Sequence, residues 1–438
     1  MKQKFAFLCS LLLLTAGVVN KSQAQELLTL EDAVKITLEN NYDIKLSAND
    51  LRIDKNNVNL ANAGILPAVT GTLTNNNSIQ NSRQVRADGE VQERNNARSS
   101  NLNYGVGLTW NIFDGFGMFA RYNQLQEFQR LGEAELQLTI LGRVADVITN
   151  YFALVQQQQQ LQANLTAIDI SRFRVKTAQS RFEIGKAARL EVLNAQVDLN
   201  TDTTNYLRQQ DLYRNTQILL NELLARDVNI AFKVADTVII DNNLTLAQMS
   251  ERAIQQNPSL QAALVSRRIA ELDQKAVRAA RFPRIGLNTG YNFNQSQAAL
   301  GFATQNTGRG FTYGVTASLN IFNGFLQRQN ERNAAVRIDN SQLNLNKINQ
   351  NIKAQLAAAY QTYSTNLALV NLESKNQDIA QRNLDITLDK FRIGSIAPIE
   401  LREAQLNLVA AQVRLSTAMY QAKLAEISLK EIAGNINL

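Results

Sequence analysis

The 438-residue sequence has no histidine, one cysteine, four prolines and 20 glycines. Without imidazole there is no His-based general acid or base, no Ser-His-Asp triad and no histidine metal ligand. The lone Cys9 cannot close an intrachain disulfide. Most hydrolase and metalloenzyme chemistries fall away, and the chain reads as a non-enzyme with neither cofactor nor metal. A hydrolase built on carboxylates would need convergent Asp/Glu pairs, whereas the acids here are scattered. Met118, Met249 and Met419 are too far apart in the chain for a copper relay. Scarce glycine and proline favour long uninterrupted elements over a loop-rich fold.

Residues 1–24 have the plan of a secretory signal. Lys2 and Lys4 precede an apolar run from Phe5 to Val19, and Ser22-Gln23-Ala24 offers small residues for cleavage before Gln25. The alternative is a retained anchor, for which the run is short. Ala6-Phe7-Leu8 before Cys9 lacks the small residues of a lipoprotein signal. Cleavage would remove three lysines and no acid, leaving a net charge of +4 spread along the chain. Nucleic-acid binding has no basic stripe to rest on.

What the sequence does contain is a duplication. Leu28-Thr29-Leu30 returns as Leu244-Thr245-Leu246, and Leu66-Pro67 as Phe282-Pro283, both at an offset of 216. At an offset of 209, Tyr104-Gly105-Val106 returns as Tyr313-Gly314-Val315. Asn111-Ile112-Phe113-Asp114-Gly115-Phe116 returns as Asn320-Ile321-Phe322-Asn323-Gly324-Phe325. Phe182-Glu183-Ile184-Gly185 matches Phe391-Arg392-Ile393-Gly394 at the same offset. Two copies are too few for a solenoid, so the expected organisation is residues 25–243 and 244–438 as two repeats of one plan.

In each repeat, Thr29 or Thr245 caps a short helix ending near Asn40-Asn41 or Asn257-Pro258. A second helix is expected to run to about Ala63 or Ala280, and Pro67 or Pro283 then starts extended chain. Strand alternation is plain at Tyr104, Val106, Leu108, Trp110 and Ile112, whose neighbours are small or polar. It recurs through Tyr313 to Ile321 and Ile285 to Phe293, and more weakly from Val69 to Asn75. Hairpins are expected at about 68–113 and 285–322, with polar connections at about 76–103 and 294–311. Such strands suit a membrane barrel, the alternative being the edge of a soluble sandwich.

Each hairpin precedes a very long helix, from Met118 to Ile184 and from Leu326 to Ile393. Ile140, Val147, Leu154, Leu161, Ile168, Val175 and Phe182 are seven residues apart, as are Leu356, Tyr363 and Val370, with Leu384 and Phe391 in the same phase. Returning helices repeat the spacing through Val192 and Leu199, and through Leu401 and Leu408, which predicts antiparallel coiled-coil pairs. Gln156 to Gln160 reads as a solvated helical face. Four strands cannot close a barrel in lipid, so copies must associate, as a dimer of eight strands or a trimer of twelve.

From Leu28 to about Gly434 the chain resembles the TolC-type outer-membrane efflux family. The resemblance rests on the duplicated plan, on the Asn-Ile-Phe-Asp/Asn-Gly-Phe segments and on two turns. These are Arg181-Phe-Glu-Ile-Gly-Lys-Ala-Ala-Arg-Leu-Glu191 and Lys390-Phe-Arg-Ile-Gly-Ser-Ile-Ala-Pro-Ile-Glu400. It implies a mostly α-helical subunit whose coiled-coil hairpins form an α-barrel and whose four strands join a shared twelve-stranded outer-membrane β-barrel. The implied assembly is a homotrimer in outer-membrane lipid with a periplasmic extension. It would dock to a periplasmic membrane-fusion adaptor and an inner-membrane transporter of the RND or ABC type. The function implied is that of a passive exit duct for efflux or type I secretion, the rival being a structural coiled-coil or adhesin-type protein.

The resemblance makes Gly185, Lys186, Gly394 and Ser395 the adaptor-contacting tips. It makes Glu191, Asn194, Glu400 and Glu403 the ring at the periplasmic entrance. Glu400 and Glu403 also suit a helix's first turn through the dipole, which is the plainer reading. The family often has Tyr where this chain has Phe182 and Phe391, so a closing bond through a hydroxyl is not available there.

Overall fold

The computed structural model describes residues 26–299 and 303–436, so the expected signal segment and Cys9 lie outside the described residues. Local capping starts the elements. After the short strand β1 (Glu26–Leu28), Thr29 Oγ1 accepts from the Asp32 amide at 3.1 Å and opens α1 (Leu30–Asn40). Asn41 Oδ1 accepts from the amides of Asp43 and Ile44 at the start of α2 (Tyr42–Asn57). That helix stops at Asn57, short of the expected Ala63. Asn59 and Asn62 bond to the backbone of residues 56–62 and compete with the helical ladder.

The remaining elements are β2 (Ala68–Val85), β3 (Val91–Phe113), α3 (Gly117–Glu183), α4 (Arg189–Leu223), β4 (Phe232–Val234) and α5 (Leu246–Gln256). They continue with α6 (Pro258–Ala279), β5 (Arg284–Ala298), β6 (Gln305–Ser318), α7 (Leu326–Arg392) and α8 (Pro398–Ile432). Asp114 Oδ1 accepts from the Met118 amide at 2.9 Å, and Asn323 Oδ1 from that of Gln327 at 3.3 Å. The repeated Asn-Ile-Phe-Asp/Asn-Gly-Phe segments thus start the two long helices. The chain forms two compact units, each drawing on both repeats. One holds the described residues up to Lys45 with Ile140–Ala253 and those from Ala354 on; the other holds Leu46–Thr139 and Ile254–Lys353.

The second unit contains an antiparallel sheet in the order β2-β3-β5-β6. Register puts Gly71, Val106, Tyr291 and Phe311 in one row, and Leu73, Tyr104, Phe293 and Arg309 in the next. The opposite face carries rows such as Thr72, Gly105, Asn292 and Gly310. One face is therefore mainly apolar and aromatic, with Thr289 and Arg309 as polar members, and the other small and polar. Gly105 is needed for space: a Cβ there would overlap the Asn292 amide oxygen and the Tyr291 carbonyl oxygen. Among the described residues β2 and β6 are open edges.

The strands differ from expectation at both ends. Residues 76–103 are not a loop, because β2 and β3 stay paired until the turn closed by the Arg86 amide on the Glu90 carbonyl at 2.8 Å. Apolar alternation ends there because both faces turn polar, yet pairing continues with Ser78 against Ser99 and Arg83 against Glu93. Likewise β5 runs on to Ala298 and β6 begins at Gln305. At the other end β6 stops at Ser318 rather than about 322. Its last partner is Arg284, and Pro283 ends the neighbouring strand.

The first unit is helical around the heptad residues. Val147, Leu154, Leu356, Tyr363, Leu384, Phe391, Leu401, Leu408 and Leu429 are buried. Parallel β1 and β4 cover one end of this core, where the Tyr151 hydroxyl donates to the Leu28 carbonyl and accepts from the Ala235 amide. α3 meets α4 through Gln157 and Thr216 at 3.0 Å, and meets α8 through Gln156 and Thr417 at 2.9 Å. The glutamine run is thus not a solvated face, because α3 has a helix on either side. α7 and α8 are tied by Arg414 and Glu373 at 3.0 Å, a bond that holds the Glu373 carboxyl below its usual range.

Candidate functional site at the helical tips

Both hairpins reverse by the same backbone device. The amide of Gly185 donates to the Phe182 carbonyl at 2.9 Å and that of Lys186 to the Arg181 carbonyl at 2.7 Å. In the second hairpin Gly394 donates to Phe391 and Ser395 to Lys390, each at 3.0 Å. These paired bonds form a Schellman motif, which requires a left-handed residue, and the two glycines have φ of 72° and 76°. Lys186 and Ser395 are exposed immediately after them.

The four residues expected at the entrance fall in two settings. Glu191 lies 3.5 Å from Arg181 and, with Asn194, lines a hollow of about 520 Å³ whose walls include Arg174, Asp198, Phe391 and Arg402. Glu400 and Glu403 are exposed at the start of α8. Glu400 Oε1 accepts from the Ala397 amide at 3.1 Å, so its carboxylate folds back over the helix N-terminus, where the dipole favours negative charge. Phe391 packs edge-on against Phe173 at 6.4 Å between ring centroids, whereas Phe182 is 40% exposed. Phe391 therefore has an aromatic partner at the second tip, and Phe182 has none among the described residues.

Above the hollow lies a buried polar network that sequence reasoning missed. Arg402 grips Asp202 with two bonds of 2.7 and 3.0 Å, and the two side chains are 9% and 6% exposed. Ser171 donates to the same carboxylate at 2.6 Å, and Gln405 donates to it at 3.1 Å. Gln405 also reaches the Ala167 carbonyl at 2.8 Å, and Arg174 pairs with Asp198 at 2.9 Å. The network joins the first hairpin (α3 and α4) to α8. Its sequence signal was a carboxylate in a core phase: Asp202 follows Leu199 by three residues, the companion position of an apolar heptad. Geometrically, the tips present two glycine turns and exposed carboxylates over a charge-paired joint.

Comparison with known proteins places these features in context. A family model described as "Outer membrane efflux protein" matches residues 33–226 and 249–435. The outer membrane efflux protein BepC of Brucella suis is 22% identical over 97% of this chain and 89% of its own length. Among solved structures, the outer-membrane channel OprN superposes with a TM-score of 0.75 at 17% identity, covering 93% of this chain and 90% of that one. The Campylobacter jejuni CmeC outer membrane channel gives a TM-score of 0.74 at 17% identity, covering 92% and 85%.

Proposed function

Because the chain belongs to the outer membrane efflux protein family and is an outer-membrane exit channel, we propose that three copies form one passive duct. The reading is supported above all by the four-stranded sheet with two open edges. In lipid each unpaired backbone group costs several kcal/mol, so an open edge must find a partner strand. The four strands alternate in direction, so β6 of one copy meets β2 of the next antiparallel, whatever the number of copies. The apolar face then turns to lipid and the small, polar face of threonine, asparagine and glycine turns to water. Three copies give the twelve strands that the family resemblance implies.

Substrate passes down a water-filled lumen, and energy enters through an inner-membrane transporter coupled by a periplasmic adaptor. Gly185, Lys186, Gly394 and Ser395 form the surface offered to the adaptor, and their regular backbone makes a rigid docking point. Glu400 and Glu403, with Glu191 and Asn194, line the entrance and favour cations. The duct is tested by extracting the protein in mild detergent, sizing it and reconstituting it in planar bilayers. Expected are a trimer that migrates as monomer only after heating, and discrete conductance steps. A water-soluble monomer obtained without detergent overturns the proposal and favours the coiled-coil scaffold.

A further inference from the structure

The four-stranded sheet is almost free of acid. Across β2, β3, β5 and β6 the only carboxylate is Glu93, against Arg83, Arg94, Arg98, Arg284 and Arg309, and lysine is absent. Arg83 takes Glu93 at 2.9 Å, and Arg94 donates to the Ala299 carbonyl at 2.9 Å. Arg284 stands at the helix end of the sheet, opposite Ser318. Arg98 and Arg309 are exposed, and neither side chain has a bonded partner among the described residues.

Register sets both on the apolar face. Arg309 pairs with Phe293 in the Tyr104 row. Arg98 pairs with Ile79, six residues beyond Tyr104 on β3, so strand alternation returns it to the same face. From Arg309 to the end of β6 at Ser318 is roughly 30 Å of strand, or about 23 Å of depth at a tilt of about 40°. That nearly fills an apolar band of about 25 Å, so Arg309 stands at its outer margin, on the side of the hairpin turns. An arginine facing lipid is costly at mid-depth and tolerated at a margin, where it meets headgroups.

A closing neighbour brings no carboxylate to the open edge at β6, because β2 has none from Ala68 to Val85. The counter-charge must come from outside the protein, and a planar guanidinium pairs bidentately with phosphate. Arg98 lies three rows beyond Arg309, roughly 20 Å along the strands. A phospholipid headgroup layer is only about 5–8 Å thick and reaches one of the two levels. The rows between them carry Gln295 with Thr307 and Asn77 with Ser100, amides and hydroxyls suited to sugar hydroxyls. We propose that this outward strip binds a phosphorylated glycolipid of the outer leaflet. Arg309 holds a phosphate next to the acyl chains, and Arg98 holds one farther out along the sugars. The inference rests on the duct reading and names the lipid held against its wall.

Lipid titration tests it. The detergent-solubilised protein is titrated with lipopolysaccharide bearing a phosphorylated core, with lipid A alone and with phosphatidylglycerol, and bound lipid is read by native mass spectrometry. Lipopolysaccharide is expected to bind at least about tenfold more tightly than phosphatidylglycerol. Arg309→Gln is expected to weaken lipopolysaccharide and lipid A alike by about tenfold, whereas Arg98→Gln weakens lipopolysaccharide and leaves lipid A unchanged. Arg284→Gln, at the other end of the sheet, is expected to change neither. Arg98 and Arg309 have no side-chain bond to lose among the described residues, so both variants keep the fold. Equal affinity for all three lipids, wild-type binding by Arg309→Gln, or an equal loss from Arg284→Gln overturns the site. Phosphatidylglycerol binding as tightly, with Arg98→Gln silent, leaves a plain phospholipid contact and overturns the glycolipid. Any of these results in a protein that still sizes as a trimer and conducts leaves the duct intact, whereas a water-soluble monomer obtained without detergent overturns the duct.

Discussion

Asp202 is the most constrained carboxylate at the tips, held by Arg402, Ser171 and Gln405 at 6% side-chain exposure. A charge so placed is stable only while its partner is present, because the interior does not solvate it. Arg402→Leu should therefore cost about 3–5 kcal/mol, the usual penalty for orphaning one half of a buried pair. Adding Asp202→Ala, which gives both positions the residues of their repeat images, should restore about 1–3 kcal/mol through the coupling between them. Thermal melts of the detergent-solubilised variants check this, and a double variant no more stable than Arg402→Leu would show that the pair is not coupled. This network was only partly legible in the sequence. Asp202 stood out as polar in an apolar phase, but its partner lies 200 residues away, and no local pattern connects the two.

The elements were legible wherever the sequence carries a period or a break. The 67-residue helices α3 and α7 follow from heptads, interrupted in α7 at Gln377, and from the lack of proline, and at 1.5 Å per residue each is about 100 Å long. Their ends follow from Gly185 and Gly394, whose φ of 72° and 76° makes the turns predictable from residue type. Gly394→Ala leaves space for its Cβ, since nothing lies within 4 Å, but places an L-residue in the left-handed region. A loss of about 1–2 kcal/mol is expected from the backbone alone, read by thermal melting and equal to that of Gly185→Ala. The long hairpin strands were missed for the opposite reason. Beyond Asn76 both faces meet water, so β2 and β3 lose their hydrophobic alternation while keeping their ladder. Pairing in such a stretch is set by cross-strand partners such as Arg83 and Glu93, which a reading of single segments does not see.

For the assembled protein, four strands per chain implied that one copy is incomplete, while the proposed number of copies rests on the family resemblance. The residues proposed for the entrance rest only on the same resemblance. In one chain Glu191 turns to Arg181 and Glu400 to its own helix start, so the proposed ring would exist only by repetition. Replacing Glu400 and Glu403 by Gln is expected to reduce cation preference in reversal-potential measurements across planar bilayers. Unchanged selectivity would remove both from the lumen. A last point follows from the unequal hairpins. β3 has 23 residues and β6 only 14, and the surplus lies past the apolar rows, ending at Asp88-Gly89. Around the rim of the proposed trimer this would produce a crown of three tall polar prongs separated by three low ones. Those prongs are natural sites for inserting a surface tag, because they lie past the apolar rows of the sheet.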